Sequence, residues 1–316
     1  MNDHVLLCDL KSGISIEGCY ILKDATIKLA SNGRRYLSGV LSDASGEADL
    51  MMWDYQGSVT TADIGEAVLV RGNVGEYKGN LQITGIRIQL APAGSYDVTD
   101  LVPSAPIDRE RAAEYIKETL ASVTDDDYRR IAETLLQRHM DEFARIPAAK
   151  SVHHGFLYGL LMHTAYMLRT AEFLAKQYAT VIDRNLLITG TVLHDLAKTE
   201  EFCISKYGLV TDYSAKGQLI GHLVAGAMSV ADVAKELNVD EKKSILLQHM
   251  ILSHHGTPEH GAAVVPLCAE AELLHYIDLI DSRMEIYAEN FKSMQPDTFS
   301  AKPIFALEHK IYKHKQ

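Results

Sequence analysis

Residues 186–198, LLITGTVLHDLAK, decide how the C-terminal part of this 316-residue chain is read. The run from Leu186 to Leu193 is apolar, and polar chemistry begins abruptly at His194, Asp195 and Lys198. Read as a buried helix, the segment carries two potential metal ligands and a cation at its end. Adjacent residues on a helix diverge by about 100°. His194 and Asp195 can therefore face one site only near a terminus, or with the site between them. A bridging aspartate, with its two oxygens on two ions, meets that condition. The structural alternative is an aspartate that fixes the tautomer of a buried histidine.

Other histidines extend the pattern outward from this segment. Eleven of the fourteen fall between His139 and His275. His163 sits in GLLMHTAYMLRTAEFL, His222 in QLIGHLVAGAM, and His254-His255 closes ILLQHMILSHH before Gly256, read as the C′ residue. Asp278 lies in AELLHYIDLIDSRM, where an ionised carboxylate among Leu, Tyr and Ile needs a partner. Asp281, one turn later, is the alternative last ligand, with a surface role as its plain reading. His275, one turn before, is expected to orient the Asp278 carboxylate. Imidazole and carboxylate together suit Mn, Co, Fe or Zn. Spread over successive helices, they read as one metal site assembled in space.

Composition sets the frame. Hydrophobic residues at 47% and charged residues at 23% are ordinary globular values. No apolar run approaches the roughly 18 residues of a membrane span, and MNDHVLLCDL lacks the features of a signal peptide. A cytoplasmic protein with no membrane role is expected. Cys8, Cys19, Cys203 and Cys268 form no CxxC pair, so neither a zinc ribbon nor a disulfide framework is suggested. The formal net charge of -11 gives no global basic footprint for nucleic acid, but two divalent cations would add local positive charge. Residues 301–316 are visibly basic and read as a solvated tail.

Before the helices the period is different. ISIEGCYIL, DATIKLA, RRYLSGVLS, EADLMMW, EAVLVRG and NLQITGIRI are short and rich in β-branched residues. Asp43-Ala44-Ser45-Gly46 reads as a hairpin turn, and a phase slip across Gly85 suggests a β-bulge. Residues 1–92 are therefore expected to form a small β-barrel, residues 93–106 a linker, and residues 107–300 an all-α domain. Helices are expected from Asp108 to about Ser122, from a Thr124 cap to about Ala144, and over 155–179, 184–197, 216–237, 240–254 and 266–293, with Asp240 capping 240–254.

The order H…HD…H…HH…D with HDLAK resembles the HD-domain metal-dependent phosphohydrolases. That resemblance implies a minimal metal set of His163, His194, Asp195 and Asp278. His222 and His254-His255 resemble the additions of binuclear members, in which Asp195 would bridge two ions. The segments PAAKSVHHGFLYGLLMHT, ILSHHGTPEHG and LHYIDLIDSRM, together with the barrel, are similar to the YhaM-type 3′-to-5′ exoribonucleases, which join an OB-fold to an HD domain. Where that family commonly has Gly-Gly in its GGLLEHT segment, this chain has Tyr158-Gly159 and Met162. The departure touches packing more than ligation.

The resemblance implies an OB-fold that binds single-stranded RNA, with single-stranded DNA as a further substrate, and two divalent ions, Mn foremost and Co, Fe or Zn as alternatives. Two ions about 3.5–4 Å apart suit phosphodiester hydrolysis. Lys198 is placed on the phosphate, and His154 near substrate or metal, with turn-capping as its other reading. On the barrel, Arg34, Arg35, Tyr36, Tyr77 and Lys78 are candidates for stacking and phosphate contact. Trp53 reads as core. The rival activity is hydrolysis of free nucleotides or cyclic dinucleotides, and a nucleic-acid binder with a vestigial HD domain is the non-enzymatic alternative. Homo-oligomerisation is left open.

Overall fold

The computed structural model describes residues 4–150 and 155–315. The chain divides into two compact units, Met1–Ser104 and Ala105–Gln316. In the first, five strands close a barrel: β1 (Ser15–Leu29), β2 (Arg35–Ser42), β3 (Glu47–Met52), β4 (Ala67–Tyr77) and β5 (Asn80–Leu90). Their order around the barrel is β1-β2-β3-β5-β4. Every pairing is antiparallel except β3 with β5. That Greek-key closure is the OB topology. Alternate residues fill it, among them Tyr20, Leu22, Leu37, Leu41, Leu50, Val68, Val70 and Ile83.

The two strands expected over 14–22 and 24–30 are one. β1 runs through a register shift between Leu22 and Asp24, pairing β4 with its first half and β2 with its second. The bulge bends the strand, so a single segment serves both sides of a small barrel. The slip expected near Gly85 is present as a register shift in which Arg71 faces Arg87 while Gly72 faces Gly85, leaving Ile86 extra. A two-residue turn, Lys78-Gly79, joins β4 to β5 with both residues at positive φ, the geometry that matches strand twist.

The Asp43 turn is tied down from within. Its carboxylate accepts from the backbone of Leu7 at 2.7 Å, Ser45 at 2.7 Å and Gly46 at 3.0 Å, and from the Ser45 hydroxyl at 2.7 Å. Burial opposes the charge, but His4, Ser45 and Leu7 outweigh it and lower the Asp43 pKa from 3.8. Asp43→Ala should cost about 2–3 kcal/mol of barrel stability by urea unfolding of the full chain. Because the native pKa is depressed, the contribution is present above the unfolded value and is lost as pH falls through the native one. An unchanged midpoint at pH 7 would show that the turn holds without its carboxylate.

The second unit is helical. A short α1 (Val98–Leu101) still belongs to the first unit; then follow α2 (Arg109–Ala121), α3 (Asp126–Phe143), α4 (Gly159–Gln177), α5 (Arg184–Leu193) and α6 (Lys198–Glu201). A small hairpin of β6 (Phe202–Ile204) and β7 (Val210–Tyr213) precedes α7 (Ala215–Leu219), α8 (Gly221–Glu236), α9 (Glu241–Ser253) and α10 (Ala269–Ser293). Ile131, Phe143, Leu160, Leu168, Leu187, Leu247 and Leu274 are central to its core. Asp108 and Asp240 cap α2 and α9 as expected. Asp125, not Thr124, caps α3, because Asp125 accepts from Asp127 and Tyr128 while Thr124 bonds Asn185. The helix expected over 216–237 breaks at Gly221, whose φ of 74° lies in the left-handed region.

The segment read as a solvated tail folds back instead. Strands β8 (Thr298–Phe299) and β9 (Tyr312–Lys313) pair, and Leu307 and Ile311 are buried with Ile286 of α10. Two apolar residues spaced through a basic stretch are enough to anchor it, and charge alone did not reveal them. Among the described residues no helix is long and apolar enough to cross a membrane.

Candidate metal centre

Five elements converge on one point. His163 lies in the second turn of α4, and His194 is the C-cap of α5 with Asp195 just beyond it. His222 opens α8, His254 caps α9 with His255 following, and Asp278 projects from α10. Placing His194-Asp195 and His254-His255 at helix ends removes the divergence problem. Beyond the last turn the backbone is free to aim neighbouring side chains at one place.

The ligand atoms sort into two groups. His163, His194 and Asp278 offer atoms that lie within 4.8 Å of one another, as do His222, His254 and His255. Asp195 stands between the groups. Its Oδ2 is 3.3 Å from His194 Nε2 and 3.8 Å from His163 Nε2. Its Oδ1 is 3.3 Å from His222 Nε2 and 3.7 Å from His254 Nε2. Asp278 Oδ1 is 3.3 Å from His163 Nε2, which makes it, and not Asp281, the carboxylate on the ligand side of the ring.

Hydrogen bonds behind the rings set their tautomers. Nδ1–H of His194 donates to the Thr191 carbonyl at 2.8 Å, and that of His254 to the Ile251 carbonyl at 2.7 Å. His163 donates through Nδ1 to Asp281 at 2.7 Å, and His222 to Glu201 at 3.0 Å. Each Nε2 lone pair is thereby turned inward. Asp195 Oδ1, His222 Nε2, His254 Nε2 and His255 Nδ1 are buried with no hydrogen-bond partner. Four acceptors aimed at one place, unpaired, would be costly in a protein interior and suit a cation. The donor set fits divalent metal: two imidazoles and two carboxylates on one side, three imidazoles and the shared carboxylate on the other.

Electrostatics agree. Burial opposes charge on Asp195, yet Lys198, His194 and His222 hold its carboxyl well below the usual range. Burial likewise works against a charged His163, but Asp278 and Asp281 prevail and raise its pKa to about 10. The same field favours a metal cation. Burial, with His194 and His255 nearby, pushes His254 well below the usual imidazole value. Burial and His222 lower His255 to about 4, so these two rings stay neutral and can ligate.

Several expectations change. Asp281 is not a surface residue; it backs His163. His275 does not orient Asp278: its Nδ1–H donates to the His254 carbonyl at 2.9 Å, and its ring packs where a Cβ on Gly256 would stand. Position 275 points back at the end of α9 and secures the histidine doublet. His154 lies outside the described residues. Glu201 escaped the sequence reading altogether. The only available signal was its place in the HDLAKTEE run, which looks like an ordinary acidic helix end.

Lys198 holds Asp195 Oδ2 at 2.6 Å and is largely buried. It therefore begins as the counter-ion of the shared carboxylate. Lys198→Ala should retain bound metal and slow cleavage by about 10²-fold, the scale for losing one charged group at a reacting phosphate. A variant as fast as the wild type would remove Lys198 from the chemistry.

On the barrel, Trp53 is not core. It is 59% exposed and its ring lies 5.3 Å from that of Tyr36. β3 ends at Met52, so the next side chain leaves the barrel wall at its rim. Arg34 and Arg35 lead into β2, and Arg34 is paired with Asp54 at 2.8 Å. Tyr77 and Lys78 sit at the β4–β5 turn, the ammonium 5.3 Å from the ring centroid.

Residues 160–283 match the family model of the HD domain. The helical unit thus contains, over 160–283, a segment that matches the HD domain, whose family are metal-dependent phosphohydrolases. Solved structures with local likeness include the HD domain of the phosphodiesterase PgpH from L. monocytogenes, at 14% identity over 52% of this chain and 76% of that one, TM-score 0.30. The second OB-fold domain of replication protein A from Methanococcus maripaludis matches at 18% identity over 30% of this chain and 99% of that one, TM-score 0.24. An OB domain from Methanosarcina mazei matches at 16% identity over 34% and 100%, TM-score 0.26.

Proposed function

We propose that the chain is a 3′-to-5′ exoribonuclease that hydrolyses the phosphodiester bonds of single-stranded RNA with two divalent cations, Mn foremost. The observation that carries this reading is the Asp195 carboxylate, which offers one oxygen to each of two ligand groups in a domain of the phosphohydrolase class. Bound there, two cations would polarise the phosphate and activate a water. His163, His194 and Asp278 would hold one, and His222, His254 and His255 the other.

The remaining chemistry falls to the chain's own groups. Lys198, three residues beyond Asp195 and paired with its Oδ2, would be placed to hold a phosphate oxygen as a point charge when cations neutralise that carboxylate. The inward Nε2 atoms are locked by the hydrogen bonds behind them, so little reorganisation accompanies substrate binding. The ligand side chains of α4, α5 and α9 are themselves buried, which keeps bulk water from them. On the OB barrel, the exposed Trp53 beside the half-buried Tyr36 on the β2–β3 side supports capture of an unpaired strand, because bases stack on such rings without sequence readout.

End-labelled single-stranded RNA with Mn²⁺ should shorten stepwise from its 3′ end. No degradation under Mn²⁺, Co²⁺, Fe²⁺ or Zn²⁺ would overturn the reading. Faster turnover of free nucleotides than of RNA would replace it with the small-molecule activity.

A further inference from the structure

The two ligand groups share a pattern that the ligands alone do not display. In each, one imidazole is fixed from behind by the main chain and one by a carboxylate. His194 and His254 donate to carbonyls three residues earlier in the chain. His163 and His222 donate instead to Asp281 and Glu201. We propose that Asp281 and Glu201 are positioning residues, each governing the affinity of one cation subsite: Asp281 that of His163, His194 and Asp278, and Glu201 that of His222, His254 and His255. The assignment rests on the two-cation reading above.

A carboxylate does more behind a ligand histidine than a carbonyl does. It fixes the Nδ1–H tautomer, and its full charge makes the ring more electron-rich, raising the basicity of Nε2 toward a metal. A carbonyl supplies the first effect and only part of the second. The carbonyl-backed pair is built into helix geometry, so the adjustable element of each subsite is its carboxylate-backed ring.

Glu201 is placed for this task in detail. Its carboxylate lies 3.0 Å from His222 Nδ1, and its Oε1 also accepts the His222 backbone N–H at 3.1 Å. Two bonds fix both the residue and its ring. That N–H follows Gly221, whose left-handed φ of 74° an L side chain rarely adopts. Glu201 is buried, and although burial opposes its charge, His222 keeps it below the usual carboxylate value. A surface acid capping a helix would need none of this burial. The segment from Asp195 to Glu201, a turn followed by α6, thus delivers the shared carboxylate, its counter-ion Lys198 and the support of the second subsite. Asp281 reaches the first subsite from α10, one turn beyond Asp278, so a single helix presents both a ligand and a support.

The two subsites should then respond separately. The test is titration of the chelator-treated full chain with Co²⁺ by calorimetry, with metal content after equilibrium dialysis as a second readout. The wild type should take up two equivalents. Glu201→Ala should weaken one equivalent by about 10–100-fold and spare the other, and Asp281→Ala should do the same to the opposite one. Ligand deletions assign them. In a His255→Ala background the remaining equivalent should weaken with Asp281→Ala and ignore Glu201→Ala; in an Asp278→Ala background the dependence should reverse.

A merely structural role for Glu201, capping α8 through the His222 N–H, would lower the unfolding midpoint and leave both affinities unchanged. That result overturns the proposal, as does equal weakening of both equivalents in every background. Should an alanine variant fail to fold, the isosteric Glu201→Gln and Asp281→Asn carry the test, with a smaller loss confined to the same subsite. A wild-type chain that binds fewer than two equivalents overturns the two-cation reading, and this assignment with it.

Discussion

Asp195→Ala should leave a chain that holds neither cation and hydrolyses phosphodiesters at least about 10³-fold more slowly than the wild type. Asp195 reaches both ligand groups: Oδ1 stands 3.3 Å from His222 Nε2, and Oδ2 3.3 Å from His194 Nε2. On the proposed assignment, alanine would remove one ligand from each subsite and the negative charge that would offset two cations. It also leaves the half-buried ammonium of Lys198, which pairs with Oδ2 at 2.6 Å, without that partner. Losing one partner of such a pair costs about 3–5 kcal/mol, so stability should fall as well. Asp195→Asn separates the effects, because it keeps the shape and drops the charge. Metal analysis after dialysis and circular dichroism on the same samples decide the matter. Unchanged metal content in a folded Asp195→Ala protein would mean that the site is assigned to the wrong residues.

Trp53→Ala should weaken binding of a single-stranded oligonucleotide by about 1–3 kcal/mol, roughly 5- to 150-fold, the range measured for loss of one base-stacking ring. Tyr36→Ala should act in the same direction, and the double variant should lose less than the sum, since the two rings lie 5.3 Å apart and support one another. Hydrolysis of a small phosphodiester such as bis(4-nitrophenyl) phosphate should be untouched, because these residues belong to the barrel unit and the ligands to the helical one. Fluorescence anisotropy measures the first effect and steady-state kinetics the second. Equal affinity of wild type and Trp53→Ala for the oligonucleotide would remove this face from substrate capture.

Much of this was legible in the residues because the relevant physics is local. The alternation in RRYLSGVLS and EADLMMW marks strands, Asp108 and Asp240 mark helix starts, and the phase change around Gly85 marks a bulge. Where the outcome turned on neighbours distant in sequence, the reading slipped. Thr124 lost the α3 cap because its hydroxyl and N–H both turn to Asn185, 61 residues away, and Asp125 caps instead. Trp53 was read as core because a strand pattern does not reveal where the barrel wall ends. The basic terminal stretch was read as solvated because two anchoring apolar residues, Leu307 and Ile311, are weak signals against so much charge.

The same division runs through the candidate site. Residue type and order, with the HD-domain resemblance, singled out His163, His194, Asp195, His222, His254, His255 and Asp278, since so many imidazoles and carboxylates on successive apolar helices are rarely needed for packing. What side each faces could not be read there. Asp278 and Asp281 are both plausible ligands one turn apart, and only the docking of α10 against α4 put one on Nε2 of His163 and the other on Nδ1. Glu201 and His275 received their roles the same way, from the ring or carbonyl that a folded neighbour set beside them. Sequence by itself determined the chemistry on offer, because functional groups and local periodicity are properties of the chain. Tertiary structure alone decided which atom of each group faces the site, because that depends on rotations and approaches of a few ångströms between helices far apart in sequence.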